Sequence, residues 1–233
     1  GQLGNGRDAD AGQCSVPCSA EPVWVSNGLT FRSVDAGGGH TCGVTIPGRP
    51  FCWGKNTHGQ LGSEVDAEPG QCLFSCSTTP AAVSGELTFE SVLAGGTHSC
   101  GVTTARQAYC WGDNTFGQLG DGTITVRREP VPVTGGLTVQ SIYPGDRHTC
   151  ALTTTGMAYC WGDNMHGQLG DGTTAVRHEP APVMGELTFQ SVLAGGAHTC
   201  ALAITGQPYC WGWNNFGQLG DGTRFNQHEP VPL

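Results

Sequence analysis

A tandem repeat is the sequence feature that most constrains this fold. The tetrapeptide GQLG begins at positions 1, 59, 117, 167 and 217, and the tripeptide CWG begins at 52, 110, 160 and 210. Self-similarity at a long, nearly constant period predicts a repeat architecture, in which each unit is one supersecondary element. We predict a single repeat domain over 1–233. Its units are approximately 1–58, 59–116, 117–166 and 167–216, followed by a partial unit 217–233.

Each unit contains four short segments with strand character. They read PVPV, LTFQSVLAG, HTCALT and AYCWG, and each is bounded by Gly, Pro or Asn, as expected for strands. Four strands in about 50 residues, repeated in tandem, are typical of a β-propeller blade. We therefore predict an all-β fold, a β-propeller of four-stranded blades with four full repeats and a partial unit. A β-helix, whose units are usually shorter, is the alternative.

Composition argues against several classes of protein. The net charge is −9 and Lys55 is the only lysine, so the chain could not neutralise phosphates over a broad surface and we expect no nucleic-acid partner. No run approaches eighteen apolar residues, so we expect no membrane span. The first residues lack the pattern of a signal peptide, so we expect a mature form or a fragment. Twelve regularly spaced cysteines indicate an oxidising compartment, so we expect a secreted, extracellular or cell-surface protein.

The repeat resembles that of a known family. The motif GGxHTCALTxxGxxYCWGxNxxGQLGDGT is similar to the repeat of the regulator of chromosome condensation family, and the resemblance covers the whole chain. The family usually forms seven-bladed propellers, which would need about 350 residues at this period. The alternatives are part of a longer ring, a ring completed by two or more chains, and a smaller ring that closes.

The resemblance also bears on function. The best-known family member is a nuclear exchange factor for a small GTPase that docks on chromatin; an acidic, cysteine-rich chain does not suit a nucleus, so this activity is a remote alternative. Bacterial members include a secreted propeller that inhibits β-lactamase by gripping it with loops on one face. The chain looks like a member of this secreted, disulfide-bearing bacterial branch.

Hairpin arithmetic predicts one disulfide per blade. If Thr153 pairs with Met157 in the stretch HTCALTTTGMAYCWG, Gly156 takes the left-handed position of a three-residue loop and Cys150 lies directly opposite Cys160. Directly opposed Cβ atoms are about 4.5–5.5 Å apart, near bridging distance. The predicted cross-strand pairs are Cys42–Cys52, Cys100–Cys110, Cys150–Cys160 and Cys200–Cys210. The pairs Cys14/Cys18 and Cys72/Cys76 lie in inserts, where we expect local disulfides, with cross-links to another chain as the alternative.

The histidines and aspartates of the repeat have competing interpretations. A His-Cys-Cys metal site is conceivable because His148 and Cys150 share a strand face, but zinc wants a fourth ligand and reduced thiols. We expect no metal and no cofactor. The repeated histidines are expected in the core, hydrogen-bonded to neighbouring backbone: His40, His98, His148 and His198. The aspartates of the GDGT motifs are expected to close turns rather than bind calcium: Asp121, Asp171 and Asp221.

Recognition should depend on positions that differ between units. The resemblance to the inhibitory propeller implies that residues before each His and after each WGxN lie on a binding face. The candidates are Arg147, His58, Phe116, Met165, His166, Trp213 and Phe216, types that include those enriched at binding hot spots. Filler packed between blades is the alternative for these side chains.

No catalytic motif is present, so we expect a protein that is not an enzyme. It would bind a protein partner or associate with itself as an extracellular assembly or structural module. The alternatives are an inhibitor-type or carbohydrate-binding propeller and a carbohydrate- or metal-dependent activity in the central channel.

Overall fold

The structure is a computed structural model, and it describes residues 2–3, 22–64 and 75–233. Sixteen strands and two single 3-10 turns, Ser26–Gly28 and Thr134–Gly136, form in these residues. The first blade contains β1 (Phe31–Ala36), β2 (His40–Thr45), β3 (Pro50–Lys55) and β4 (Cys76–Ala82), and the second contains β5 (Phe89–Ala94), β6 (His98–Thr103), β7 (Ala108–Gly112) and β8 (Arg127–Pro132). The third contains β9 (Val139–Pro144), β10 (His148–Thr153), β11 (Ala158–Gly162) and β12 (Arg177–Pro182), and the fourth contains β13 (Phe189–Ala194), β14 (His198–Ala203), β15 (Pro208–Gly212) and β16 (Gln227–Pro232).

Each blade is an antiparallel sheet whose four strands pair in chain order. The predicted all-β fold of four-stranded propeller blades is therefore confirmed. The first strands of successive blades contact one another and are innermost. The fourth strands are outermost, and their prolines suit an edge because proline donates no ladder hydrogen bond.

The blades are offset from the sequence units. Strands β5, β6 and β7 come from unit 59–116, but β8 comes from the start of unit 117–166 and pairs with β7. The same offset holds in the other blades, so the PVPV segment closes the blade before it. The units 59–116, 117–166 and 167–216 therefore each contribute strands to two sheets, which ties successive blades together covalently.

The central hairpin has the predicted register. Cys150 lies opposite Cys160, the amide of Thr153 donates to the carbonyl of Met157 at 2.9 Å, and Gly156 has φ of 83°. All four cross-strand disulfides are formed, each with Cα atoms 4.1 Å apart. One disulfide per blade is thus confirmed.

The hydrophobic core lies mainly between blades. One cluster combines Cys42, Val44 and Leu61 of the first blade with Phe89 and Trp111 of the second. A second joins the second blade to the third, and a third joins the third blade to the fourth. Because apolar burial is the dominant favourable term in folding, each blade depends on its neighbour.

Glycines in the turns after the innermost strands allow neighbouring blades to meet closely. The amide of Gly38 donates to the carbonyl of Gly95 at 3.0 Å, and the amide of Gly96 donates to Gly145 at 3.0 Å. A Cβ atom on Gly145 would lie 2.5 Å from the carbonyl oxygen of Gly195 in the next blade. This contact requires glycine, since real Cβ atoms do not approach a carbonyl so closely.

Candidate binding face

A hydrogen-bond relay joins each blade to the next. The carbonyl oxygen of Gln60, in the loop after β3, accepts hydrogen bonds from the Ser99 hydroxyl at 2.8 Å and the Trp111 indole at 3.0 Å. Both donors belong to the second blade, so the GQLG loop of one blade is fixed on the next. The same contacts join Gln118 to Thr149 and Trp161, and Gln168 to Thr199 and Trp211.

Buried histidines complete this relay. Nε2 of His98 lies 2.8 Å from the hydroxyl of Thr149, and the same contact joins His40 to Ser99 and His148 to Thr199. Each hydroxyl gives its hydrogen to a glutamine carbonyl, so we assign the histidine hydrogen to Nε2. The predicted core position is confirmed for these three histidines. The predicted backbone partner was wrong: Nε2 donates to the hydroxyl of the next blade's Ser or Thr, and Nδ1 of each ring has no hydrogen-bond partner among the described residues.

Burial keeps these imidazoles neutral. It lowers the pKa of His40 to about 4 and the pKa of His98 and His148 to about 3. All three side chains are fully buried, because a following blade covers them. His198, in the fourth blade, is only half-buried, and burial lowers its pKa as well. The covered histidines connect blades and are closed to solvent.

The turns and loops at one end of the blades form a surface that we call the upper face. It consists of the turns before the second strands and the loops after the third strands, because β10 begins and β11 ends there. The turns joining second to third strands, such as 154–156, lie at the opposite end, which we call the lower face. The candidate binding residues all lie on the upper face: His58, Phe116, Arg147, Met165, His166, Trp213 and Phe216.

Two of these residues meet across a blade boundary. The guanidinium carbon of Arg147, just before β10 in the third blade, lies 5.1 Å from the ring centroid of Phe116 in the second. This is a cation–π contact. Phe116 is half-buried and Arg147 is exposed, so the ring supports a solvent-facing charge.

An aromatic group spans the third and fourth blades. The rings of His166 and Trp213 are 5.9 Å apart, and those of Trp213 and Phe216 are 5.2 Å apart and perpendicular. The amide of Asn226 lies 3.4 Å from Nδ1 of His166. Phe216 is 79% exposed, so this group presents an apolar side chain to solvent.

The remaining two candidates lie at different depths. The ring nitrogen Nδ1 of His58 is 3.1 Å from the hydroxyl of Thr57, and its backbone amide donates to the side chain of Gln60. Met165 is 65% exposed. Packing between blades therefore buries part of the Phe116 and His166 side chains, whereas the Met165 and Phe216 side chains are mostly exposed.

The GDGT aspartates close turns, as predicted for Asp121 and Asp171. Oδ1 of Asp121 accepts from the amide and hydroxyl of Thr123, and Oδ2 accepts from Arg127 at 2.9 Å. Burial acts to raise the pKa of Asp121, but hydrogen bonds from Thr123, Arg127 and Asn114 outweigh it and hold the pKa below its usual range. Asp171 has the same arrangement, with Arg177 as its cation. Asp221 makes the same turn contacts, but Gln227 replaces the arginine.

Of the four insert cysteines, only Cys76 lies within the described residues. Cys14, Cys18 and Cys72 lie outside the described residues, so their predicted pairings stay predictions. Cys76 is described and is disulfide-bonded. Within the described ranges, no group of three His, Cys, Asp or Glu side chains is placed to hold a metal ion. No helix in these ranges has the length and apolar character needed to cross a membrane.

The relay itself was missed by the sequence analysis. Its signal was present, because Gln of GQLG and the Ser or Thr after each His recur at the same period. What the repeat did not reveal is that Gln118 acts through its backbone carbonyl and on the next blade. The contact between Phe116 and Arg147 was also missed, since both positions vary and no periodic signal marks them.

Comparison with curated proteins gives partial matches. The chain is 30% identical over 131 residues to the human E3 ubiquitin-protein ligase HERC2, covering 55% of this chain and 2% of that protein. It is 33% identical over 129 residues to the ultraviolet-B receptor UVR8 of Arabidopsis thaliana, covering 54% of this chain and 26% of the receptor. The chain thus matches only a small part of either relative.

Solved structures share the fold over a longer span. Human WBSCR16 superposes with a TM-score of 0.82 at 20% identity, covering 100% of this chain and 60% of that one. Yeast RCC1 (Prp20), in its complex with Kap60, gives a TM-score of 0.80 at 20% identity, covering 94% and 52%. The family model described as an RCC1-like domain matches residues 1–233. This chain, with its tandem GQLG and CWG motifs and its four-stranded blades, belongs to the RCC1-like domain family.

Proposed function

We propose that this chain is a non-enzymatic, protein-binding β-propeller that recognises its partner through the upper face. One observation carries the proposal. The tryptophans of the CWG motifs, such as Trp161, recur and are buried, whereas several side chains that differ between units are exposed on the upper face. Met165 and Phe216 are 65% and 79% exposed. Exposed apolar side chains beside polar ones are typical of protein interfaces.

We further propose that the protein acts outside the cytoplasm. Four disulfides form among the described residues, and structural disulfides persist in oxidising compartments. Alkylation of the protein at the moment of cell lysis should find almost no free thiol. A chain recovered with most of its cysteines reactive would overturn this location.

The partners of the structural neighbours do not transfer to this chain. Yeast Prp20 has described binding properties toward Gsp1p and histones, but the likeness at about one-fifth identity supports the fold alone. The net charge of −9 and the single lysine give no support for binding nucleic acid. A protein partner of its own is the simplest proposal for a face so rich in side chains that vary.

Site-specific photo-crosslinking tests the proposed face. A benzoylphenylalanine replaces Met165 on the upper face, and in a matched variant it replaces Thr155, which is exposed at the lower end of the same blade. Both proteins are irradiated with secreted and surface proteins of the source organism. We expect an adduct from position 165 alone, and excess unmodified protein should suppress it. Equal adducts from both positions, or none from position 165, would overturn the proposal.

A further inference from the structure

The pairing of Arg147 with Phe116 presents a charge in a fixed position. The two residues come from different blades, and the guanidinium carbon is 5.1 Å from the ring centroid. Both blades are held by the relay between Gln118 and Trp161, so neither side of the pair is on a free loop. A guanidinium supported on its flat face keeps the edges of its planar fork for other hydrogen bonds.

Arg147 differs from the other arginines that contact acids. Arg106 pairs with Glu90, Arg127 with Asp121 and Arg177 with Asp171. Within the part of the chain that the structure describes, no carboxylate lies within ion-pair distance of Arg147. Its charge is therefore exposed, oriented and without an acidic partner.

The carboxylate of Asp163, a neighbour of Arg147 in the same hairpin, is engaged elsewhere. The amide of Asp163 donates to the carbonyl of Arg147 at 3.0 Å, so the two residues are neighbours across the β10–β11 hairpin. Asp163 is buried, and its Oδ1 accepts from the amide of Met165 at 3.1 Å. The carboxylate thus shapes the loop that carries Met165 and leaves the guanidinium to solvent.

This arrangement occurs in one blade boundary only. The positions equivalent to Arg147 are Gly39, Thr97 and Ala197, and the Thr97 hydroxyl donates to Asp113 at 3.2 Å inside its own blade. A side chain needed for the scaffold would recur in other units, as the relay does. Arg147 does not recur, so the scaffold does not depend on it.

We propose that Arg147, positioned by Phe116, binds the carboxylate of an Asp or Glu side chain in the partner protein, while Met165 contacts an apolar side chain next to it. Planar guanidinium and carboxylate groups form two parallel hydrogen bonds, and Arg is enriched at interface hot spots. Met165 is exposed and flexible, which suits an irregular apolar contact. This inference rests on the proposed function and adds to it the chemistry of the partner.

Peptide titration followed by NMR tests this chemistry on the full chain. The probes are N-acetyl-Asp-Phe-amide, its Asn-Phe and Lys-Phe counterparts, and sodium glucuronate, and the readout is the backbone amide signal of Met165, which every variant retains. We expect the Asp-Phe probe to shift this signal and to bind at least about tenfold more tightly than Asn-Phe. R147Q should abolish the preference and F116L should weaken it, whereas R224Q, which removes an exposed arginine elsewhere, should leave it unchanged.

The outcomes of the titration test the carboxylate contact and the nature of the ligand separately. Equal binding of Asp-Phe and Asn-Phe, or an unchanged preference in R147Q, would overturn the carboxylate contact. Glucuronate binding as tightly as Asp-Phe would overturn the peptide assignment in favour of an acidic sugar. An adduct from position 165 without any Asp preference would refute this inference alone, and an Asp preference without that adduct would refute the proposed function.

Discussion

The indole of Trp161 donates a 2.9 Å hydrogen bond to the backbone carbonyl of Gln118 in the preceding blade. The same carbonyl accepts from Thr149, which in turn receives the hydrogen of His98. Four residues from two blades therefore share one buried network, and it recurs at the next boundary. Such networks are costly to break because a group left without its partner has no water to replace it.

Replacing Trp161 by Phe should weaken the junction of the second and third blades. The indole hydrogen bond is lost and the side chain becomes smaller, so we expect about 1–3 kcal/mol of destabilisation in urea unfolding. Trp24 is 95% exposed, and W24F is the matched control, with an expected change within about 0.5 kcal/mol. Equal effects of the two substitutions would show that the buried indole of Trp161 contributes nothing to this junction.

Stability should fall as the solution is acidified below pH 6.5. Burial in the folded state lowers the pKa of His98 from 6.5 to about 3. Between these two pH values the unfolded chain binds a proton at this histidine and the native state does not. The resulting destabilisation of the native state is absent above the pKa of the unfolded chain and grows as the pH falls toward the pKa of the folded state. Each such histidine should cost about 1.4 kcal/mol per pH unit within that window.

The variant H98N separates the contribution of the histidines to the pH dependence of stability from that of the carboxylates. H98N removes one titrating group, so the slope of unfolding free energy against pH should drop by about one proton between pH 6.5 and 4.5. The hydrogen-bonded aspartates act in a lower window, because the pKa of Asp121 is held below 3.8. An unchanged slope in H98N would mean that this histidine is protonated in the native state.

The inner turns should not tolerate a side chain at Gly145. A Cβ atom there would lie 2.5 Å from the carbonyl oxygen of Gly195 in the next blade, so the blades would have to separate. We expect G145A to lower stability by about 1–3 kcal/mol. A Cβ atom on Gly196 meets nothing within 4 Å, and G196A should be nearly neutral in the same thermal melt. A harmless G145A would show that the third and fourth blades are not in close contact at these turns.

Removing one cross-strand disulfide should destabilise the chain without unfolding it. The bridge between Cys150 and Cys160 closes a loop with a sequence separation of 10, worth about 2–3 kcal/mol on the chain-entropy model. The double variant C150A/C160A should show a lower urea midpoint and the same partner affinity. No change in midpoint would mean that the neighbouring blades already restrain this hairpin fully.

Periodic residues made the blade predictable. The spacing of Cys150 and Cys160 around Gly156 determines the hairpin register, and the structure has that register. Local strand pairing follows from sequence because alternation and turn geometry act over a few residues. The disulfides follow from the same arithmetic.

Contacts between blades were harder to predict. The partner of His98 is Thr149, 51 residues away. This contact depends on how far one blade is rotated against the next, which no local sequence pattern predicts. The offset that places β8 in the preceding blade was hard to predict for the same reason. The pairing of β8 with β7 joins two sequence units and depends on tertiary contacts. The meeting of Phe116 and Arg147 depends on that rotation, so it required the structure.

Recurring residues hold the scaffold, and we propose that residues which differ between units recognise a partner. The most direct measurement determines both Tm and Kd for M165A and W161F, using the protein captured at position 165. We predict that M165A raises Kd at least about tenfold with Tm unchanged, and that W161F lowers Tm with Kd unchanged. A decrease in the Tm of M165A, or a decrease in affinity confined to W161F, would contradict this division of roles.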